Sequence, residues 1–169
     1  MDYRIFEKPA FDVVAKTKQF TTDMDENFKT IPRFWDEFNK SESPAVLGKF
    51  TAGKPGTVTG GGCLGICLDA SGQKEFTYAI GVEKPAGKNA LAGFEVIHVP
   101  AATWAVFESI GPMPKAMQAV ILRIFQEWFP STGYEHDSKP ELEVYFTGDN
   151  QNPNYHSQVW IPVIKKGKK

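Results

Sequence analysis

Two side chains stand out chemically, Glu143 and Tyr145, two places apart in the run Lys139-Pro140-Glu141-Leu142-Glu143-Val144-Tyr145-Phe146. Leu142, Val144 and Phe146 alternate with Glu141, Glu143 and Tyr145, the period-two pattern of a half-buried strand, so carboxylate and phenol share a face. A carboxylate buried without a partner costs on the order of several kcal/mol. It rests protonated with a raised pKa, or bonded to nearby hydroxyls, until a cationic ligand arrives. Aromatic rings beside it add about 0.5–2 kcal/mol per good contact through stacking and cation–π attraction, forces that tolerate varied ligand shapes. Glu143 is thus expected in an aromatic-lined pocket that meets a ligand, with Trp35, Phe38, Trp104, Trp128, Tyr145 and Trp160 as candidate walls. The competing reading is core packing for each ring and, for Glu143, an exposed strand position paired across a hairpin. Glu141, of the same parity, is the reserve candidate. Tyr155 and His156 belong to a pocket mouth or to surface loop.

The chain bounds what such a site can serve. Its 169 residues suffice for one well-buried core, and 41% hydrophobic with 23% charged content is ordinary for a globular protein. Nineteen basic against twenty acidic residues leave a net charge of −1, a poor footprint for direct nucleic-acid binding. The one basic cluster is the tail Lys165-Lys166-Gly167-Lys168-Lys169, read as a solubilising terminus. No apolar run approaches the ~20 residues of a spanning helix, so no membrane partner is expected. Met1-Asp2-Tyr3-Arg4 does not open a signal peptide. Cys63 and Cys67, four apart in a strand, stand roughly 13 Å from one another, beyond disulfide reach. A reduced, cytoplasmic protein is expected, without metal or cofactor, since a zinc site needs about two more soft ligands nearby.

The elements around the site follow from pattern. Tyr3–Phe6 and Phe11–Thr17 read as strand, broken at Pro9. Thr22 and Asp23 offer helix-cap chemistry, with Asp25 and Glu26 in the first turn. Met24, Phe28, Ile31, Trp35 and Phe38 then recur at helical spacing, with Pro32 expected to kink or split the helix. Val46–Thr51 reads as a short strand, the glycine-rich stretch to Gly62 as loop, Cys63–Asp69 and Glu75–Val82 as strands joined by a turn at Ala70–Gln73. The glycines are no phosphate loop, because a strand rather than a helix follows them. After a linker at Lys84–Asn89, Phe94–Val99 and Thr103–Glu108 are strands. Pro114 opens a helix over Met117–Trp128, stopped by Pro130 and Gly133, and a hairpin ends in Gln158–Val163.

The chain repeats itself. Pro9-Ala10 falls on Pro100-Ala101 at an offset of ninety-one, and Phe34-Trp35-Asp36-Glu37-Phe38 falls on Phe125-Gln126-Glu127-Trp128-Phe129. The expected fold is α+β: one domain over 1–169, in which a strand-helix-strand-strand unit occurs twice, about 1–84 and 92–165. The two units form one curved antiparallel sheet with both helices on one face and a ligand cleft at the seam.

This layout resembles the GyrI-like effector-binding domain, the small-molecule module of AraC-type and MerR-type multidrug regulators that also occurs alone. The resemblance is carried by Glu7-Lys8-Pro9-Ala10-Phe11, Ile31-Pro32-x-Phe34-Trp35-x-x-Phe38, Pro140-x-Leu142-Glu143-Val144-Tyr145 and Gln158–Val163. It implies a ligand site between the halves, with an acidic residue of the penultimate strand deep in an aromatic pocket for bulky, often cationic, aromatic compounds. By position that residue is Glu143. Gln158 stands where relatives can carry tyrosine. The expected function is a stand-alone module that sequesters or senses such molecules, with a DNA-binding or regulatory protein as a further partner. The alternative is hydrolysis of cyclopropane-type genotoxins, with Glu143 as general acid or base and Tyr145 or Tyr155 orienting it. Neither Gly-x-Ser-x-Gly nor a recognisable cysteine–histidine pair supplies a nucleophile. An inhibitor acting by protein contact fits less well, because no strongly acidic face stands out.

Overall fold

Alternation and capping set the elements much as the sequence dictates. The structure is a computed structural model describing residues 1–68 and 73–167. The first half runs β1 (Tyr3–Lys8), β2 (Phe11–Thr21), α1 (Met24–Lys40), α2 (Ser43–Thr51), β3 (Cys63–Leu68) and β4 (Glu75–Glu83). The second runs β5 (Glu95–Val99), β6 (Ala102–Ile110), α3 (Lys115–Arg123), β7 (Tyr134–His136), β8 (Glu141–Tyr145) and β9 (His156–Lys165). A π turn, Ile124–Trp128, and a last α-helical turn, Phe129–Ser131, prolong α3. Most of the expected turn at Ala70–Gln73, the strand end at Asp69 and the final Lys168 and Lys169 lie outside the described residues.

All pairings are antiparallel, in the order β1-β6-β9-β8-β3-β4-β2-β5, with β7 on the flank of β9. Read from either end, this order meets equivalent strands of the two halves, and the seam falls between β8 and β3. The first strand of each half pairs with the second strand of the other. Pro9-Ala10 and Pro100-Ala101 are the corners where the chain crosses over, which is why proline interrupts an otherwise continuous strand at both places. So short a corner joins strands distant in the order only if the sheet curls strongly. Inside the curl lies a core of Val13, Leu64, Ile66, Trp104, Leu142, Val144 and Trp160. The helices cover the opposite face, α1 over Phe20, Tyr78 and Ile80, α3 over Phe107, Val159 and Ile161.

Two expectations about helices change. Val46–Thr51 is not a strand but the body of α2. Pro44 sits in that helix's first turn, where its missing N–H costs nothing, and Ala52 closes the helix in the left-handed conformation. Pro32 does not split α1, which is capped by the Asp23 carboxylate accepting from the N–H groups of Asp25 and Glu26 and runs on to Lys40. Proline deprives the Phe28 carbonyl of its partner four residues on. Gln118 of α3 reaches over from the other half and donates its side-chain Nε2–H to that carbonyl at 2.9 Å. The defect in one helix thus becomes a tie between the two.

The glycine-rich loop before β3 is fastened by Glu83, a buried carboxylate that accepts from the Val58 and Thr59 N–H groups and the Thr57 and Thr59 hydroxyls. The loop lies beside the seam, so this clamp shapes one rim of the cleft described next.

Gln118→Leu is expected to cost about 1 kcal/mol in urea denaturation, the worth of a typical internal hydrogen bond. In a Pro32→Ala background, where the helix supplies its own N–H to Phe28, the same change should cost little. An identical cost in both backgrounds contradicts the tie.

Candidate functional site

The seam brings β3 and β8 side by side with Gly65 opposite Glu143. Alternation along β8 sends Leu142 and Val144 into the inner core and Glu141, Glu143 and Tyr145 to the helix-bearing face. A Cβ at Gly65 would stand 2.2 Å from the Tyr78 hydroxyl and 2.6 Å from Glu143 Oε2, so the missing side chain is the space that the site occupies. Through that space the Tyr78 hydroxyl, from β4, donates to Glu143 Oε2 at 2.5 Å. Tyr145 donates to the same oxygen at 2.8 Å. The Trp35 indole N–H, from α1, donates to the Tyr78 hydroxyl at 2.9 Å. Among the described residues Oε1 accepts no hydrogen bond, and no Lys, Arg or His lies within ion-pair distance of the carboxylate.

Above this floor opens a cleft of about 1080 Å³ between α1 and α3. Phe28, Ile31 and Trp35 form one wall, Met117, Gln118 and Ile121 the other, with Tyr145 and the two cysteines at the base. Trp35 meets Tyr145 edge-on with centroids 4.8 Å apart, and Phe38 backs Trp35 at 6.1 Å. The floor therefore combines flat apolar surface with one carboxylate, Glu143, that has only hydroxyl partners, while Glu141 on the same lining is bonded to His136.

Burial pushes the Glu143 carboxyl up from its ordinary 4.5. The bonds from Tyr78 and Tyr145 pull it down and the neighbouring Glu141 adds a smaller push up, leaving it raised. A raised carboxyl favours the folded state while protonated. That contribution is whole below 4.5 and is lost as pH climbs through the raised value. Burial, then the charge of Glu143, drives the Tyr78 and Tyr145 phenols well above 10.0 and keeps them donors. It also pushes the Cys63 thiol up to about 12 and Cys67 well above 9.0. Glu141 is already engaged: Ser138 N–H donates to His136 Nδ1, which leaves Nε2 to donate to Glu141 at 2.9 Å.

Of the expected site residues, Glu143, Tyr145, Trp35 and Phe38 line the cleft, and the other four do not. Gln158 pairs with Val144, not Glu143, so hairpin register turns it to the far side of the sheet. There its amide donates to Glu108 and accepts from the Trp160 indole. Trp160 and the fully buried Trp104 pack in the inner core, tilted 59° with centroids 5.8 Å apart. Trp128 is packed beneath α3, parallel to Tyr134 at 5.7 Å and edge-on to Phe107. Tyr155 reaches the rim but donates to the Phe146 carbonyl, and His156 is exposed beside Glu108. Sequence reasoning passed over Tyr78 and Gly65. Each carried a signal: a phenol among the buried positions of a strand needs a polar partner, and a glycine inside a strand marks a close approach.

Gly65→Ala is expected to destabilise the protein by about 1–3 kcal/mol in thermal denaturation, because its methyl displaces the Tyr78–Glu143 contact. At Gly62 an added Cβ meets nothing closer than 3.5 Å, so Gly62→Ala should do far less. Equal effects at the two positions contradict the crowded floor.

Comparisons with solved structures agree with the fold. A structure of SAV2435 bound to tetraphenylphosphonium superposes with a TM-score of 0.81 at 23% identity, covering 97% of this chain and 94% of the other. The integron cassette protein VCH_CASS2 of Vibrio cholerae gives 0.63 at 16%, covering 96% and 95%. The EcmrR C-terminal domain gives 0.57 at 20%, covering 97% and 98%. The fold is accordingly the GyrI-like effector-binding fold. No curated protein matches the sequence significantly. The family model of the integron-associated effector-binding protein Cass2 matches residues 4–163, and the chain belongs to that small-molecule-binding family.

Proposed function

We propose that the cleft binds bulky lipophilic cations of aromatic character and that Glu143 is their counter-charge. The observation that carries this reading is a carboxylate at the base of an apolar cleft with hydroxyl partners and no cation of its own among the described residues. Tyr78 and Tyr145 hold one oxygen and leave the other for the ligand, while Trp35 and Tyr145 offer flat surface for stacking and cation–π contact. That a structural neighbour is bound to tetraphenylphosphonium, a cation with no hydrogen-bond donor, supports charge and aromatic contact as the means of recognition. The module sequesters or senses such molecules, and a DNA-binding or regulatory partner reads the liganded state in the sensing case. Two unpaired thiols support a reducing, cytoplasmic setting.

Cation binding requires the ionised carboxylate, so affinity rises with pH through the raised pKa of Glu143 and levels off above it, with protons released on binding below that point. The hydrolase alternative would use the same Glu143 and Tyr145. The two thiols of the floor stay protonated and are poor nucleophiles, so this reading has Glu143 activate water.

Glu143→Gln keeps the shape and removes the charge. Titration calorimetry should show tetraphenylphosphonium bound more weakly by about 1–3 kcal/mol, roughly 5- to 150-fold, and its pH dependence gone. Neutral triphenylphosphine oxide should change little. Equal losses for the two ligands contradict the counter-charge. Turnover of an electrophilic cyclopropane, abolished in Glu143→Gln, would instead make the protein an enzyme.

A further inference from the structure

β1 is a sheet edge, and among the described residues no strand pairs with its outer side. It pairs with β6 alone, and Tyr3, Ile5 and Phe6 are 41%, 37% and 39% exposed. An edge of this kind is normally blunted or paired. Which backbone groups it presents follows from the ladder. The Asp2 carbonyl accepts from the Glu108 N–H at 3.4 Å, so Asp2 faces β6. Pro162 has no N–H, and its carbonyl accepts from Asp137 on the side away from β6. Trp104 opposite Pro162 therefore turns its own groups to Phe6, which gives the same phase. Asp2, Arg4, Phe6 and Lys8 face β6, and Tyr3, Ile5 and Glu7 hold their N–H and C=O groups out to the free edge.

We propose that two copies of this protein associate by antiparallel pairing of β1 with β1 about a two-fold axis at Ile5. Such an axis, normal to the sheet, keeps each face on its own side, so paired positions must share parity. Centres at Tyr3, Glu7 or Lys8 leave one end of the strand unpaired, so three registers compete. Centring on Arg4 sets that guanidinium against itself. Centring on Phe6 brings Arg4 against Lys8 and wastes the outward groups of Tyr3 on Pro9, which has no N–H. Centring on Ile5 lets Ile5 exchange both bonds with its own copy, while Tyr3 and Glu7 exchange theirs, about six backbone bonds in all. The same register sets Asp2 against Lys8, Tyr3 against Glu7 and Arg4 over the Phe6 ring, each pair attractive. Charge complementarity thus selects one register and one occupant, a second copy. A ladder this short joins less than the roughly 1,200 Å² of lasting complexes, so dimer and monomer exchange with concentration.

Sedimentation velocity on the full chain, across a concentration series through the micromolar range, tests this. A reversible monomer–dimer equilibrium is expected. Ile5→Pro removes the outward N–H at the axis without breaking a bond to β6, so circular dichroism should stay unchanged and dimerisation weaken at least about tenfold. Lys8→Asp sets carboxylate against Asp2 and should weaken it about as much, and adding Asp2→Lys should restore it, which keeps the test decisive if the proline variant misfolds. A monomer throughout the series overturns the proposal, as does growth past a dimer, a dimer indifferent to these changes, or a failed restoration. Ligand binding in the cleft is separate from each outcome, since β1 contributes nothing to its lining.

Discussion

The contact on which the site depends is the hydrogen bond from Tyr78 to Glu143, 2.5 Å long, passing through the volume that a side chain at position 65 would fill. A carboxylate low in an apolar cleft is unfavourable in isolation, and two phenols on one of its oxygens are what let it stay there. They do so without supplying positive charge. Arginine or lysine in the place of either tyrosine would neutralise the group and leave nothing for a cation to find. Hydroxyls hold the carboxylate in position and keep it available.

Positioning that contact needs three strands, β4, β3 and β8, in adjacent register, and β3 and β8 come from different halves of the chain. Duplication provides the arrangement. When two like units share a sheet through a pseudo-two-fold, their edge strands meet in the middle and their helices stand apart on either side. The seam is then a cleft without any strand having to bend away. Crossing over of β1 and β5 locks the halves by backbone pairing, and the Gln118 tie to the carbonyl freed by Pro32 joins the walls at one end of the cleft. The halves differ where the ligand would lie. Trp35 has Gln126 as its counterpart at the ninety-one-residue offset, so only one wall carries an indole over the floor.

Strand alternation made the shared face of Glu143 and Tyr145 legible in the sequence, and the offset made the sheet plan legible. Met24 maps on Lys115 and Lys40 on Ser131, the bounds of the two helical spans. What parity within one strand cannot report is parity between strands. The register of β8 on β9 decides that Val159 shares the face of Glu143 and that Gln158 and Trp160 do not. Trp128 illustrates a second limit: helical spacing puts it on the buried face with Met117 and Ile124, but does not say whether that face meets the cleft or the sheet. Val46 to Thr51, the body of α2, is short and apolar enough to read as either element. Pro44 at its start was the deciding signal. Tyr78 and Gly65 became meaningful only once β3, with Gly65 on it, lay between β4 and β8.

The most direct test of the uncompensated carboxylate is its own titration, followed through the side-chain carboxyl carbon of labelled Glu143 by NMR, with and without saturating tetraphenylphosphonium. The free protein should titrate above 4.5, and the bound cation should move that midpoint down, since it favours the charged form. A midpoint at 4.5 in the free protein, or one that the ligand leaves in place, would contradict a buried charge waiting for its partner.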